Sequence, residues 1–263
     1  MILSSISWNV DPEIIGFGGL SIRWYGLLFA SSFIIGYYIM KNIFEKEKIS
    51  IELLDKLTIY SGLGTVLGAR LGHCLFYEPE FYWNHPLEIL YIWHGGLASH
   101  GAGIGILISL FLFSRMSKKP FLWTLDRVVI IAALAGFLIR TGNLINSEIY
   151  GKASNLPWAF IFERSDPLQI PRHPTQIYEA LCYLLIFIVL MFAYYKWNFG
   201  KKSGLIFSIF LMTIFTARFF IEFVKDIQVN FESDMFLNMG QILSIPFVLY
   251  GVVLLFLSTK RKL

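Results

Sequence analysis

The feature that most restricts this chain is a series of apolar runs, each about as long as a hydrocarbon core is thick. Seven can be drawn, at about 20–40, 57–77, 92–114, 127–145, 177–195, 203–223 and 237–258. A helix rising 1.5 Å per residue needs about 20 apolar residues to cross a bilayer. Charged residues are only 15% of the sequence, against about a quarter in soluble proteins, so a water-soluble fold has too little polar surface to cover these runs. In hydrocarbon the backbone must satisfy its own hydrogen bonds, which makes each run a helix. The expected fold is therefore all-α, a polytopic membrane protein with about seven transmembrane helices in one domain, residues 1–263. No soluble domain or low-complexity tail is expected. The basic pI of 8.9 points to nucleic acid only if the placement of the basic residues is ignored.

That placement sets the orientation. The first connection holds Lys41, Lys46, Lys48 and Lys56, the third Arg115, Lys118, Lys119 and Arg127, the fifth Lys196, Lys201 and Lys202, and the tail Lys260, Arg261 and Lys262. The alternate connections carry only Lys152, Arg164, Arg172 and Lys225. By the positive-inside bias the N-terminus is outside and the C-terminus cytoplasmic. The long connection between the fourth and fifth runs, about 146–176, then lies outside. The start of the chain lacks a basic region and is broken by Asp11, Pro12 and Glu13, so it does not read as a cleavable signal peptide.

Arg23, Arg70, Arg140 and Arg218 fall within or at the edge of the runs. Counting helical rise from the inner lysines and arginines puts the last three roughly 20–24 Å above the cytoplasmic face. Arg23 sits near the outer start of the first run, so all four belong to the outer half. Charges at such depth are costly and mark substrate paths or reaction sites. Guanidinium suits phosphate, and lipid phosphate is the anion found at that level, so four arginines at one depth suggest a shared anionic ligand. The competing reading pairs each with an internal carboxylate such as Glu148 or Glu222. Around Arg140, the residues Asn143, Asn146 and Glu148 are polar where hydrocarbon is expected to continue. Arg218 and Glu222, four apart, share a helix face.

Other signals are weaker. Gly64, Gly68 and Gly72, and likewise Gly101 and Gly105, repeat every four residues, a spacing that lets helix backbones approach. Cys74 and Cys182 lie in apolar runs and read as small hydrophobes. No Cys-x-x-Cys or His-Glu-x-x-His spacing occurs, so neither metal nor redox cofactor is expected. His100, in a glycine-rich run near the arginine depth, suits a general base; His94 and His73 are weaker candidates. Gln176, Tyr178 and Glu179 read either as a helix start capped by Thr175 or as groups reaching the arginines. Asn238 and Gln241 open the last run on the outer side.

These blocks resemble a known family, the bacterial prolipoprotein diacylglyceryl transferases. The resemblance rests on Ile22-Arg-Trp-Tyr-Gly26, Gly68-Ala-Arg-Leu-Gly72, Gly95-Gly-Leu-Ala-Ser-His-Gly101, Arg140-Thr-Gly-Asn-Leu-Ile-Asn-Ser-Glu-Ile-Tyr-Gly151, His173-Pro-Thr-Gln-Ile-Tyr-Glu179, Ala217-Arg-Phe-Phe-Ile-Glu-Phe223 and Met239-Gly-Gln-Ile-Leu-Ser244. It implies a membrane transferase, without metal or nucleotide, in the bacterial cytoplasmic membrane with its site towards the outer leaflet. The implied reaction moves the diacylglyceryl group of phosphatidylglycerol to the lipobox cysteine of a prolipoprotein signal peptide, leaving a thioether and glycerol phosphate. The family's lipid-binding arginine falls on Arg140, its functional histidine on His100 and its second arginine on Arg218. Its motif positions fall on Tyr25, Asn143, Glu148 and Gly151. Ile139, Ser147 and Ala102 stand where the family commonly has glycine, and Lys225-Asp226 lacks the usual tail, so nothing is implied for Lys225. Arg140 is expected to anchor the phosphate and Arg218 to stabilise the leaving group, with Arg70, Asn146 and Glu222 as further binding residues.

Two other classes compete. An anionic-lipid transporter or flippase would use the same arginines, but its internal repeats with paired broken helices are not evident. An acyltransferase with donor entry from the cytosol fits poorly with polar groups on the outer side.

Overall fold

A computed structural model describes residues 5–17, 20–226 and 235–260. In chain order the elements are β1 (Ile6–Trp8), β2 (Glu13–Phe17), β3 (Leu20–Arg23), α1 (Trp24–Lys46), α2 (Ile51–Phe76), the short α3 (Pro79–Asn84), α4 (Ser99–Ser117), α5 (Phe121–Ile145), β4 (Phe160–Phe162), α6 (Thr175–Tyr195), α7 (Leu205–Ile221) and α8 (Met239–Lys260). Seven of these helices overlap the seven apolar runs. Five of them, α1, α4, α5, α6 and α8, are long and apolar enough to cross a membrane, and α7 is a shorter apolar helix. At most 39% of the apolar window of any of the five is buried within the protein. So much uncovered apolar surface fits contact with lipid rather than water. The chain is an all-α polytopic membrane protein.

The helices form two compact units, one from residues 1–36 and 126–263 and the other from 37–125. In the 37–125 unit, α2 lies against α4 backbone to backbone. A Cβ on Gly105 would meet the Gly68 Cα at 2.7 Å, and one on Gly72 would meet the Gly101 Cα at 2.6 Å. The glycine spacing read from the sequence is this contact. α4 starts at Ser99, seven residues later than the run beginning at 92. The intervening chain forms short 3-10 turns and then holds Gly95 and Gly96 at φ 88° and 68°, a left-handed backbone that glycine tolerates and a helix does not.

In the other unit α6, α7 and α8 pack in sequence, with Phe215 stacked on Phe247 at 4.3 Å. Gly136 lets the Tyr183 ring lie on α5; a Cβ there would meet its Cδ2 at 2.7 Å. The carboxylate of Asp126, wholly buried, accepts from the Gly204 and Phe207 amides at 2.6 and 2.8 Å, capping α7 from a different helix. Short strands, which hydropathy did not anticipate, join the non-helical segments. β1 pairs parallel with β4, and β2 with β3 antiparallel. Backbone groups outside helices still need partners, and these pairings supply them.

Candidate functional site

The site is built where α5 ends. Asn143 follows Arg140 by one turn, and the Arg140 Nη1 donates to its Oδ1 at 3.2 Å. Asn143 Nδ2 donates in turn to Glu148 Oε1 at 2.8 Å, and Asn146 Nδ2 donates to the same oxygen at 3.2 Å. Tyr25, the second residue of α1, lies against this turn because residue 142 is glycine; a Cβ there would meet the Tyr25 ring at 2.8 Å. Beyond α5 the chain turns sharply, with Ser147 and Ile149 at φ 57° and 61°. A β-branched residue in that region is strained, and such strain gathers where a site dictates the backbone.

The strained turn is held by the start of α6. Gln176 Nε2 donates to the Glu148 carbonyl at 2.7 Å, Thr175 Oγ1 to the Ile149 carbonyl at 2.9 Å, and the Gly151 amide to the His173 carbonyl at 2.8 Å. Thr175 is therefore not a helix cap; Pro174 occupies that place without a side-chain bond. The sequence blocks 140–151 and 173–179 are one hydrogen-bonded unit. Gly151 also bridges Lys225, and a Cβ on it would meet His173 and Thr175 atoms at 2.7 Å.

From Arg140 an alternating set of charges runs through the protein. Arg140 Nε lies 2.8 Å from Glu179 Oε2. Glu179 Oε1 lies 3.3 Å from Lys225 Nζ, which is 3.2 Å from Glu222 Oε1. Arg218 Nε lies 3.7 Å from that same Glu222 oxygen. Glu179 is wholly buried and Lys225 only 5% exposed, whereas the Arg218 side chain is 36% exposed. Glu222 is anchored further by Asn238 Nδ2, 3.1 Å from its Oε2. Gly240 makes room for it, since a Cβ there would meet the Glu222 Cδ at 2.5 Å. Asn238 and Gln241 bond each other's backbone amides, a capping box that starts α8.

The four arginines, expected to share one anionic ligand, have different partners in the structure. Arg23 pairs with Glu13 of the β2–β3 hairpin at 3.3 Å, with both side chains largely exposed. Arg70, in the other unit, is buried, and its three nitrogens donate to the carbonyls of Glu88, Ile89, Gly95 and Gly96. Its donors satisfy carbonyls of the 3-10 turn Pro86–Leu90 and of the Gly95–Gly96 bend before α4, and its guanidinium lies 5.0 Å from the Tyr82 ring. Arg140 and Arg218 remain, joined through carboxylates. The reading in which arginines pair internally thus holds for both, by way of Glu179 and Glu222 rather than Glu148. His100 is the second residue of α4, exposed, and makes no hydrogen bond among the described residues. His73 stacks on Tyr77 and lies 3.8 Å from Glu78, and the His94 side chain is outside the described residues. Sequence reasoning passed over Lys225 and left Glu179 undecided. A carboxylate one turn into a run as apolar as α6 was the signal for Glu179; Lys225 had none beyond its place near Glu222.

Outside the helices the connection 146–176 is clamped by Arg172. Its Nε and Nη2 grip Asp166 at 2.6 and 3.0 Å, Nη1 reaches Asp226 at 2.8 Å, and its guanidinium lies 4.9 Å from the Tyr150 ring. The Arg172 bond holds the Asp166 carboxyl below its usual range, and burial lowers the His173 imidazole. No group of three or more metal-ligating side chains occurs among the described residues.

Residues 12–257 match the family described as prolipoprotein diacylglyceryl transferase. The chain belongs to this family. A phosphatidylglycerol–prolipoprotein diacylglyceryl transferase of Chloroherpeton thalassium is 49% identical over 98% of this chain and 96% of its own. One of Tolumonas auensis is 48% identical over 97% and 98%, and one of Chlamydia caviae 38% identical over 100% and 97%. These names give no support to the transporter reading. The polar residues of the network lie on the ends of α5, α6, α7 and α8 and in the turn after α7, where the helices hand over to irregular backbone.

Proposed function

We propose that the chain transfers the diacylglyceryl group of phosphatidylglycerol to the lipobox cysteine thiol of prolipoproteins, the first step of lipoprotein maturation, with Arg140 and Arg218 binding the phosphate. The observation that carries the site assignment is the alternating network ending in those two arginines. The reading takes residues 1–263 as one membrane domain crossing about seven times in the bacterial cytoplasmic membrane. The N-terminus is outside and the site faces the outer leaflet.

In the reaction the cysteine loses its proton and its thiolate attacks the glycerol carbon bonded to the phosphate oxygen. That C–O bond breaks, the thioether forms, and glycerol phosphate leaves. Thiolate and phosphodiester, one negative charge each, become a neutral thioether and a phosphate with two. Charge therefore accumulates on the leaving group, where fixed guanidinium groups act most strongly. Arg140 anchors the phosphate. Arg218, more exposed and only loosely held by Glu222, closes on the departing oxygen. Asn143, Asn146, Glu148 and Tyr25 shape the wall beside Arg140, Gly151 keeps the turn closed, and Glu222 aims Arg218. Arg70 acts at a distance by holding the segment that precedes α4. His100, without a hydrogen-bond partner on its ring among the described residues, takes the thiol proton.

The test is incubation of the purified chain with phosphatidylglycerol and a lipobox peptide, followed by mass spectrometry. A gain of one diacylglyceryl group is expected, and its absence with folded protein refutes the reading. Arg140→Ala should lower the rate at least a hundredfold, the scale of losing one preorganised donor to a developing anion. His100→Gln should slow transfer at neutral pH and recover as pH rises towards the thiol's own range; a loss independent of pH removes it as base.

A further inference from the structure

A second site lies far from the arginines. Between the α6–α7 connection and the end of α8 is a cavity of about 380 Å³, wholly within one unit. That size is in the range of ligand clefts, about 300–1,000 Å³. Its floor is apolar, from Trp197, Leu205, Ile209 and Leu255, and Lys201 and Lys202 stand at its mouth. Lys202 precedes Arg218 by 16 residues, roughly 24 Å along the chain at helical rise. The cavity is therefore at the other end of α7 from the charge network.

The wall that carries the lysines is fixed. Arg127 Nη2 donates to the Gly200 carbonyl at 2.9 Å, Asp126 accepts from the Gly204 amide at 2.6 Å, and Ser258 Oγ donates to the Ser203 carbonyl at 3.2 Å. A connection tied to α5 and α8 presents its side chains in a set position. Among the described residues neither lysine has an ion pair, and no carboxylate lines the cavity. Trp197 is 56% exposed, as befits a ring at a headgroup boundary.

We infer that this cleft binds one anionic phospholipid of the leaflet opposite the arginine network, with an acyl chain on the apolar floor and the phosphate at Lys201 and Lys202. Basic pockets between membrane helices hold anionic headgroups in this way. A soluble phosphate would leave the apolar floor unfilled, and a zwitterionic lipid such as phosphatidylcholine would bring its own cation up against both ammonium groups.

The full chain in neutral detergent is titrated with phosphatidylglycerol or phosphatidylcholine, and bound lipids are counted by native mass spectrometry. The wild type should hold two phosphatidylglycerol molecules, one at each site, and phosphatidylcholine should not fill the second. In the Lys201→Gln, Lys202→Gln variant the second affinity should fall roughly thirtyfold, the scale expected from two lysines near a headgroup, with transfer unchanged. Leu255→Trp, which fills the floor and keeps both lysines, should also expel the second lipid and gives an independent reading if the first variant misfolds. Wild-type binding in either folded variant, or equal retention of phosphatidylcholine, overturns the assignment.

Discussion

Replacing Lys225 by methionine tests the charge network most directly. The ammonium lies 3.3 Å from Glu179 Oε1 and 3.2 Å from Glu222 Oε1 and is 5% exposed. The two carboxylate oxygens are therefore no more than about 6.5 Å apart, and Met keeps most of the side-chain volume while leaving them face to face. At an effective dielectric of about 20 their repulsion is at least roughly 2.5 kcal/mol, and two attractions are lost with it. Removing one member of a buried pair costs about 3–5 kcal/mol, so a loss of that size is expected on unfolding by denaturant in mixed micelles. Transfer to a lipobox peptide should fall as well, because a Glu222 no longer shared with Lys225 draws Arg218 towards itself. Lys225→Arg should keep both properties. Adding Glu222→Gln to Lys225→Met removes the facing charge and should recover at least half of the lost stability. The reasoning fails if Lys225→Met unfolds within about 0.5 kcal/mol of wild type, the range of ordinary surface changes. It fails equally if the two substitutions are additive, since coupled neighbours are not.

Gly105→Ala puts a methyl group where the Gly68 Cα already lies at 2.7 Å; overpacking of that kind should cost about 1–3 kcal/mol on unfolding, and no change would mean that α2 and α4 do not touch through their backbones. The outer connection should weaken in acid. The Asp166 carboxyl is held low by Arg172 and the His173 imidazole is lowered by burial, so each binds its proton less readily when folded. Stability from His173 is complete above about pH 6.5 and declines below it, and that from Asp166 declines below about pH 4. Hydrogen exchange over residues 150–174 should therefore quicken as pH falls, after correction for intrinsic rates. Asp166→Asn should abolish the lower step, and exchange that stays flat from pH 7 to 3 would refute the clamp.

The helical architecture was legible because hydrocarbon imposes length and composition on each segment separately. The close pairing of α2 with α4 was legible because glycine every fourth residue has a local spacing. What hydropathy missed lies where those rules stop. α4 starts at Ser99 rather than 92 because Arg70 holds the Gly95 and Gly96 carbonyls before it, contacts between residues 25 and 26 apart. The pairing of β1 with β4 joins Ile6 to Phe160, and three-residue strands carry no periodicity to find. Depth alone suggested that arginines from separate helices share one ligand. Depth does not reveal which partner a side chain turns towards, and Arg23 and Arg70 turn towards their own neighbourhoods.

If the network is the phosphate site proposed above, it also bears on how cations can wait in a site that accepts an anion. Arginines gathered beside lipid with no counter-charge would repel one another and be costly to hold there. Here Arg140, Lys225 and Arg218 alternate with Glu179 and Glu222, so every like pair is separated by an opposite charge. The count is three cations to two carboxylates. Glu148 is kept one step away, bonded to the amides of Asn143 and Asn146 rather than to a guanidinium. The set of five therefore carries one surplus positive charge, and its exposed end is Arg218, whose contact to Glu222 is the longest of the four at 3.7 Å. On the proposed reading, a phosphodiester, which brings one negative charge, meets that end first. Because Lys225 already shares Glu222, Arg218 can turn to the phosphate without leaving a buried carboxylate unpaired. The lysine is then the residue that makes an arginine available, which explains why a side chain with no sequence signal of its own sits at the centre of the arrangement.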